Sequence, residues 1–162
     1  MDMVRRLHGI FLGILGALVS IGMAAAEPAL APERARCPVC GMFVAKYPVW
    51  QAQVRHRDGS VAYFDGVKDM AVYLGEPGRY GDKTGGQPLE IWVKDYYTLA
   101  WVDGRLAWYV LGSDTLGPMG HELIPFGTRA AAESFRADHK GKRVLGFAEI
   151  TPELVESLRA GQ

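Results

Sequence analysis

Residues 50–74 read WQAQVRHRDGSVAYFDGVKDMAVYL, and a two-residue periodicity gives way to a helical one within them. Apolar and polar side chains alternate over residues 50–57, with glutamine and arginine on the polar side, which predicts a half-buried strand. Asp58-Gly59 favours a hairpin turn, because both central positions of a type I′ turn need positive φ. Residues 61–64 return as the second strand. Apolar residues then recur at helical spacing, namely Val67, Met70, Ala71 and Leu74.

The helix is expected to begin at Asp65, whose side chain is suited to cap its first turn. Residues 75–88 form a loop rich in Gly and Pro, and residues 89–94 alternate again as a strand. These elements give the order ββαβ within residues 37–97, the first predicted unit.

The second half repeats this order. Residues 98–102 and 106–111 flank Asp103-Gly104, which predicts a second hairpin. Thr128 is suited to cap a second helix, and residues 144–150 are expected to form a strand. Residues 98–162 therefore form the second predicted unit.

A C-terminal helix and a long loop complete the second unit. Thr151-Pro152 opens the helix, since proline is well tolerated in a first turn. Residues 112–127 separate the second hairpin from its helix, and loops of that length are often functional. The sequence thus predicts an α+β fold, a tandem repeat of two small ββαβ units with a C-terminal helix.

The N-terminus resembles a secretory signal peptide, residues 1–26. Arg5 and Arg6 precede an apolar run over residues 10–23, and Ala24-Ala25-Ala26 fits a cleavage site. The alternative is an uncleaved membrane anchor, for which the run is short. No cysteine follows the run closely, so a lipid anchor is not expected. The prediction is a soluble periplasmic protein in which residues 27–36 are a tether.

Charge and motifs exclude several classes of function. Lys plus Arg and Asp plus Glu are each 18, so the formal net charge is zero and nothing favours nucleic acid. The sequence shows no catalytic triad, paired carboxylates or phosphate-binding loop. These observations favour a binding or delivery protein over an enzyme.

The two cysteines of the chain lie in Cys37-Pro38-Val39-Cys40-Gly41-Met42. A disulfide between them would close a very small loop and would constrain the unfolded chain little. Soft sulfur donors select Cu(I), Zn(II) or iron–sulfur clusters. Structural zinc needs four ligands, which only His, Asp or Glu could complete here. A redox pair would place the first thiol at a helix N-terminus, which the surrounding sequence does not predict.

Met119 and His121 are candidate donors from the second half. They lie in an aperiodic loop flanked by Gly and Pro, so core packing explains Met119 poorly. Met42 could instead fill a gap in the core, and His121 could be solvated. A Cu(I) site of five residues is therefore predicted: Cys37, Cys40, Met42, Met119 and His121. His56 and Met70 are expected in the core, and His139 at a helix end.

The sequence resembles the NosL family of exported copper chaperones. The resemblance is carried by Cys37-x-x-Cys40-Gly41-Met42, Tyr63-Phe64-Asp65, Pro118-Met119-Gly120 and Ile124-Pro125-Phe126. It implies Cu(I) binding in the periplasm by the same five residues. It also implies handover to a membrane copper-maturation complex for nitrous oxide reductase, which is compatible with peripheral membrane association. The alternative is an exported CxxC redox or zinc-binding module.

Overall fold

The computed structural model describes residues 28–84 and 87–161. The predicted leader, residues 1–26, lies outside this part of the chain. None of the helices in the described ranges is both long and apolar enough to cross a membrane.

Two antiparallel sheets and three α-helices make up the fold of the described residues. The first sheet has the strand order β2-β1-β3-β4, and its strands are β1 (Ala52–Arg55), β2 (Val61–Phe64), β3 (Glu90–Lys94) and β4 (Trp101–Asp103). The second has the order β6-β5-β7, and its strands are β5 (Trp108–Leu111), β6 (Leu123–Phe126) and β7 (Arg143–Gly146). The helices are α1 (Val67–Gly75), α2 (Arg129–Asp138) and α3 (Pro152–Arg159). The prediction of a mixed fold of helices and antiparallel sheets is confirmed.

The α1 helix joins the two halves of the molecule. It packs against β1 and β2 of the first sheet, against β6 of the second sheet and against α3. Met70 on α1 is fully buried, as predicted. The chain segments that flank α1 and β6 are therefore held close together.

The second hairpin was predicted wrongly. β4 pairs with β3, whereas β5 pairs with β6 and β7. The turn at Asp103-Gly104 therefore connects the two sheets instead of closing a hairpin. The two sheets nevertheless share one arrangement. β1 lies between β2 and β3 in the first sheet, and β5 lies between β6 and β7 in the second. A tandem repeat stays a prediction.

Strand β6 lies inside the loop predicted over residues 112–127. All four of its residues are buried, so it lacks the alternation that marks a half-buried strand. It also contains Pro125, which argues against a central strand but is tolerated at a sheet edge. β6 occupies such an edge.

The start of the polar face predicted over residues 50–57 is buried, contrary to the prediction of a half-buried strand. Gln51 and Gln53 are 1% and 3% exposed. The backbone N–H of Ala31 donates to Gln51 Oε1 at 2.9 Å, and Gln53 Nε2 donates to the Ala29 carbonyl oxygen. The N-terminal segment therefore covers this face, and side-chain amides satisfy its backbone groups.

The predicted cap of α2 is confirmed, because the Thr128 side chain accepts a hydrogen bond from the backbone N–H of Ala131. Thr151 caps α3 in the same way and accepts from the backbone N–H of Leu154. The cap at Asp65 is wrong, because α1 is capped at Gly66, which has no side chain to contribute. The Asp65 carboxylate is therefore available to bind elsewhere.

The histidines outside the predicted site lie where the sequence places them. His56 is buried, and its Nε2 lies 2.8 Å from Tyr73 Oη. His139 follows the last residue of α2 and stacks on Phe135 with a 4.2 Å centroid separation. Neither residue belongs to the cysteine site described below.

Candidate metal centre

The two cysteines lie in a compact turn, residues 36–43, which we call the cysteine loop. The backbone N–H of Cys37 donates to the Met42 carbonyl oxygen, and that of Gly41 donates to the Cys37 carbonyl oxygen, both at 2.9 Å. Gly41 has φ of 79°, a conformation that glycine adopts without strain. The loop is followed by a 3₁₀ turn at Val44–Lys46 and not by an α-helix. The thiols therefore lack the helix N-terminus that activates a redox pair.

Arg36 braces the cysteine loop from outside. Its guanidinium group lies 3.9 Å from the centroid of the Phe43 ring, and Nη1 donates to the Gly41 carbonyl oxygen at 2.9 Å. Arg36 and Phe43 also form a β-bridge across the base of the loop. These contacts hold the loop in one conformation in which Cys37 is buried and Cys40 is partly buried.

Two aspartates face the thiols from the start of α1. Cys40 Sγ donates to Asp65 Oδ1 at 3.2 Å, and Cys37 Sγ donates to Asp69 Oδ2 at 3.3 Å. Asp65 precedes the helix, and Asp69 lies four residues later, on the same side of its first turn. One ligand atom from each of the four residues lies within 4.8 Å of the other three, so the group could hold a metal ion.

Burial keeps both thiols protonated in the metal-free protein. It is the main cause that raises the pKa of Cys40 to about 12, and the Asp69 carboxylate adds to it. Burial also raises the pKa of Cys37 far above its ordinary value, and the charges of Asp69 and Asp65 act in the same direction. Since metals bind thiolates, a metal ion must displace the thiol protons.

Backbone amides of the cysteine loop oppose this effect. The N–H groups of Cys40 and Val39 interact with the Cys37 sulfur, and that of Met42 interacts with the Cys40 sulfur. These interactions favour the thiolate form of each cysteine. They would stabilise sulfur ligands once a metal replaced the protons.

The other three predicted donors, Met42, Met119 and His121, differ in their exposure to solvent. Met42 is partly buried in the cysteine loop. Met119 is 47% exposed, and His121 is exposed as well. Among the described residues, the group of closely spaced Cys, Asp, Glu and His donors does not include His121. Ligation by any of the five predicted residues stays a prediction.

Neither aspartate is among the donors predicted from the sequence, in which Asp65 resembles a helix cap and Asp69 gives no separate signal. Their spacing of four residues at a helix start could have indicated that two carboxylates share one side. What the sequence could not show is that the cysteine loop packs against that side.

Known proteins that resemble this chain are named for copper, which agrees with a group of side chains that could hold a metal ion. The sequence model of the NosL family matches residues 28–155. "Copper-binding lipoprotein NosL" of Stutzerimonas stutzeri is 26% identical over 144 residues, which cover 84% of this chain and 72% of that protein. The crystal structure of the copper chaperone NosL from Shewanella denitrificans superposes with a TM-score of 0.65 at 26% identity, covering 80% of this chain and 99% of the other.

Proposed function

This chain belongs to the NosL family, and on that premise we propose that it is a periplasmic chaperone that carries Cu(I) for the maturation of nitrous oxide reductase. The copper ion is cargo and not a resident cofactor. The observation that carries the proposal is the pair of thiols packed against two carboxylates, with all four ligand atoms within 4.8 Å. No catalytic role is assigned to the site.

The donor chemistry fits Cu(I). Thiolate sulfur is a soft ligand, and soft ligands select Cu(I) over the hard cations Mg²⁺ and Ca²⁺. Cys37 and Cys40 are the proposed principal ligands. The carboxylates of Asp65 and Asp69 accept hydrogen bonds from the two thiols in the metal-free state. They also add negative charge that attracts a cation.

The unequal burial of the thiols suits a carrier. Cys37 is buried, whereas Cys40 is partly exposed. A receiving protein could therefore approach copper from the Cys40 side and exchange its own sulfur ligand for that of Cys40. We propose that the ion leaves by this stepwise exchange, so that it is never released into water.

The receiving partner and the compartment belong to the proposal. Both relatives are named for copper: one is called a copper chaperone and the other a copper-binding lipoprotein. We propose a membrane copper-maturation complex as the recipient, reached after export and removal of residues 1–26. The second relative is named as a lipoprotein, so the absence of a lipid anchor expected from the sequence is not supported by this comparison.

Zinc is the second candidate cargo, and one observation favours it. Asp65 and Asp69 complete a set of two sulfur and two oxygen donors, which is the number that tetrahedral zinc requires. A CxxC redox function is less well supported, because the raised pKa of Cys40 disfavours the nucleophilic thiolate.

A metal titration tests the proposal. The reduced protein is titrated with Cu(I) against a chromophoric Cu(I) chelator, and separately with Zn²⁺ against a zinc chelator. We expect about one tightly bound Cu(I) per chain, with Cys37→Ser and Cys40→Ser each removing tight binding. Tight zinc binding without competitive Cu(I) binding would favour the alternative, and wild-type Cu(I) affinity in both variants would refute the site.

A further inference from the structure

The buried carboxyl group of Glu122 contacts the start of α1, outside the cysteine site. Glu122 is 4% exposed, and its Oε1 accepts hydrogen bonds from the backbone N–H groups of Lys68 at 2.5 Å and Leu123 at 2.9 Å. The other carboxyl oxygen lies where a Cβ at Gly66 would stand. Gly66 has no side chain to cap the helix, so Glu122 satisfies a free N–H of the first turn from 54 residues away.

The Lys68 side chain makes the reciprocal contact, from α1 to the second half of the chain. Its ammonium group donates to the carbonyl oxygens of Met119 and His121, both at 2.8 Å. Lys68 is only 5% exposed although it is charged. These carbonyls belong to residues 117–121, which we call the methionine loop. Gly117 and Gly120 close this loop by exchanging backbone hydrogen bonds.

Side-chain-to-backbone hydrogen bonds connect the first turn of α1 and the segment that contains the methionine loop and Glu122, and they run in both directions. A side chain from the second half bonds the backbone of α1, and a side chain of α1 bonds the backbone of the second half. Asp65 and Asp69, which face the thiols, lie three residues before and one residue after Lys68. The position of the first turn of α1 therefore determines where both carboxylates stand.

We infer that Lys68 and Glu122 are positioning residues of the metal site, which lock the first turn of α1 to the methionine loop. The inference rests on the proposed metal binding but concerns residues that are not ligands. Groups that orient metal ligands typically change affinity by about tenfold to a hundredfold when they are removed. The lock also fixes the backbone on which Met119 and His121 are carried.

The test uses three variants and a matched control. Lys68→Gln removes the ammonium group, and Glu122→Ala removes the carboxyl group. Glu122→Gln keeps an oxygen that can accept from the Lys68 N–H and serves as the conservative rescue. Lys140→Gln is the control, because the Lys140 side chain is 85% exposed.

Two measurements on the metal-free protein test directly whether Lys68 and Glu122 hold the first turn of α1 against the methionine loop; we call this connection the lock. Amide hydrogen exchange should accelerate about fivefold in residues 66–70 and 117–121 of Lys68→Gln and Glu122→Ala, the size expected for a lost helix cap. Alkylation of Cys40 should also be faster, because Asp65 no longer stands against its thiol. Glu122→Gln and Lys140→Gln should match the wild type in both measurements.

A third measurement connects the lock to metal. The Cu(I) dissociation constant should rise about tenfold in Lys68→Gln and Glu122→Ala, and should stay near the wild-type value in Glu122→Gln. Unchanged Cys40 alkylation and unchanged Cu(I) affinity in folded Lys68→Gln would overturn the inference, even if stability fell. Absence of Cu(I) binding by the wild type would contradict the proposed function, and the exchange and alkylation rates would still decide the lock.

Discussion

The cysteine loop and the methionine loop both carry sulfur, but the structure holds them in different ways. In the cysteine loop the functional atoms are themselves fixed, because each thiol donates to a carboxylate at or just before the start of α1. In the methionine loop only the backbone is fixed, through Lys68, and the Met119 side chain remains 47% exposed. The first region has preorganised donors, and the second has candidate donors that are exposed to solvent.

Within the proposed copper site, this difference predicts a division of labour between the two loops. Preorganised ligands lose little entropy when a metal binds, so they dominate affinity. An exposed thioether such as that of Met119 would contribute less to affinity and would be better placed to meet an incoming protein. The predictions below run from the cysteine loop, where the expected effects are largest, to the methionine loop, where they are smallest.

Substituting a cysteine should have the largest effect. Cys40→Ser replaces a soft thiolate with a hydroxyl group that Cu(I) binds poorly, so Cu(I) affinity should fall by more than about a hundredfold, beyond the loss typical of an outer-shell change. Chelator competition measures the affinity, and circular dichroism should show an unchanged fold. Cys37→Ser should lower the Cu(I) affinity to a similar extent. Equal affinity in Cys40→Ser and wild type would mean that the cysteine loop does not provide the main donors.

Acidification should weaken Cu(I) binding. The pKa of Cys40 is raised to about 12 and that of Cys37 is raised as well, so both thiols hold protons in the metal-free protein throughout the neutral range. Each proton displaced by copper makes the affinity fall about tenfold for every unit by which pH decreases. Titrations between about pH 6 and pH 8 give this slope. A flat profile would show that thiolates do not form on binding.

The carboxylates should distinguish copper from zinc. Asp69→Asn keeps the shape of the side chain but removes its charge, so Zn²⁺ affinity should fall by about tenfold or more and Cu(I) affinity by less, because oxygen is the harder donor. Asp138→Asn on the exposed end of α2 is the matched control. An equal loss for both metals would mean that Asp69 acts through the position of Cys37 and not as a ligand.

The methionine loop should show the smallest effects on affinity. Met119→Ala should weaken Cu(I) binding only about threefold, since a mobile exposed donor must lose rotamer entropy on binding. His121→Ala should weaken Cu(I) binding no more than Met119→Ala does, since His121 is exposed as well. The wild-type protein measured in parallel supplies the reference affinity. Losses as large as that of Cys40→Ser would abolish the contrast between the two loops.

The sequence predicts the helices and most strands because their periodicities are strong. Thr128 caps its helix as expected, since a cap depends on the residues that immediately follow it. β6 escaped detection because a fully buried strand with a proline has no alternating pattern. The pairing of β4 with β3 instead of β5 depends on long-range packing, which a local turn signal such as Asp103-Gly104 does not report.

The candidate site was half predicted for the same reason. Cys37 and Cys40 stand out by spacing alone, since two cysteines two residues apart are informative in any context. Asp65 looked like a helix cap because capping is a local property, whereas its contact with Cys40 spans 25 residues. Lys68 and Glu122 gave no signal, because a charged residue is usually exposed and only the fold shows these two to be buried.

X-ray absorption at the copper edge tests the central claim most directly. The protein is loaded with less than one equivalent of Cu(I) under reducing conditions, and its spectrum is compared with that of the double variant Cys37→Ser/Cys40→Ser. We expect a sulfur-dominated first shell in the wild type that is lost in the double variant. The same spectrum in both proteins, or a wild-type shell of nitrogen and oxygen alone, would contradict copper binding by the cysteine loop.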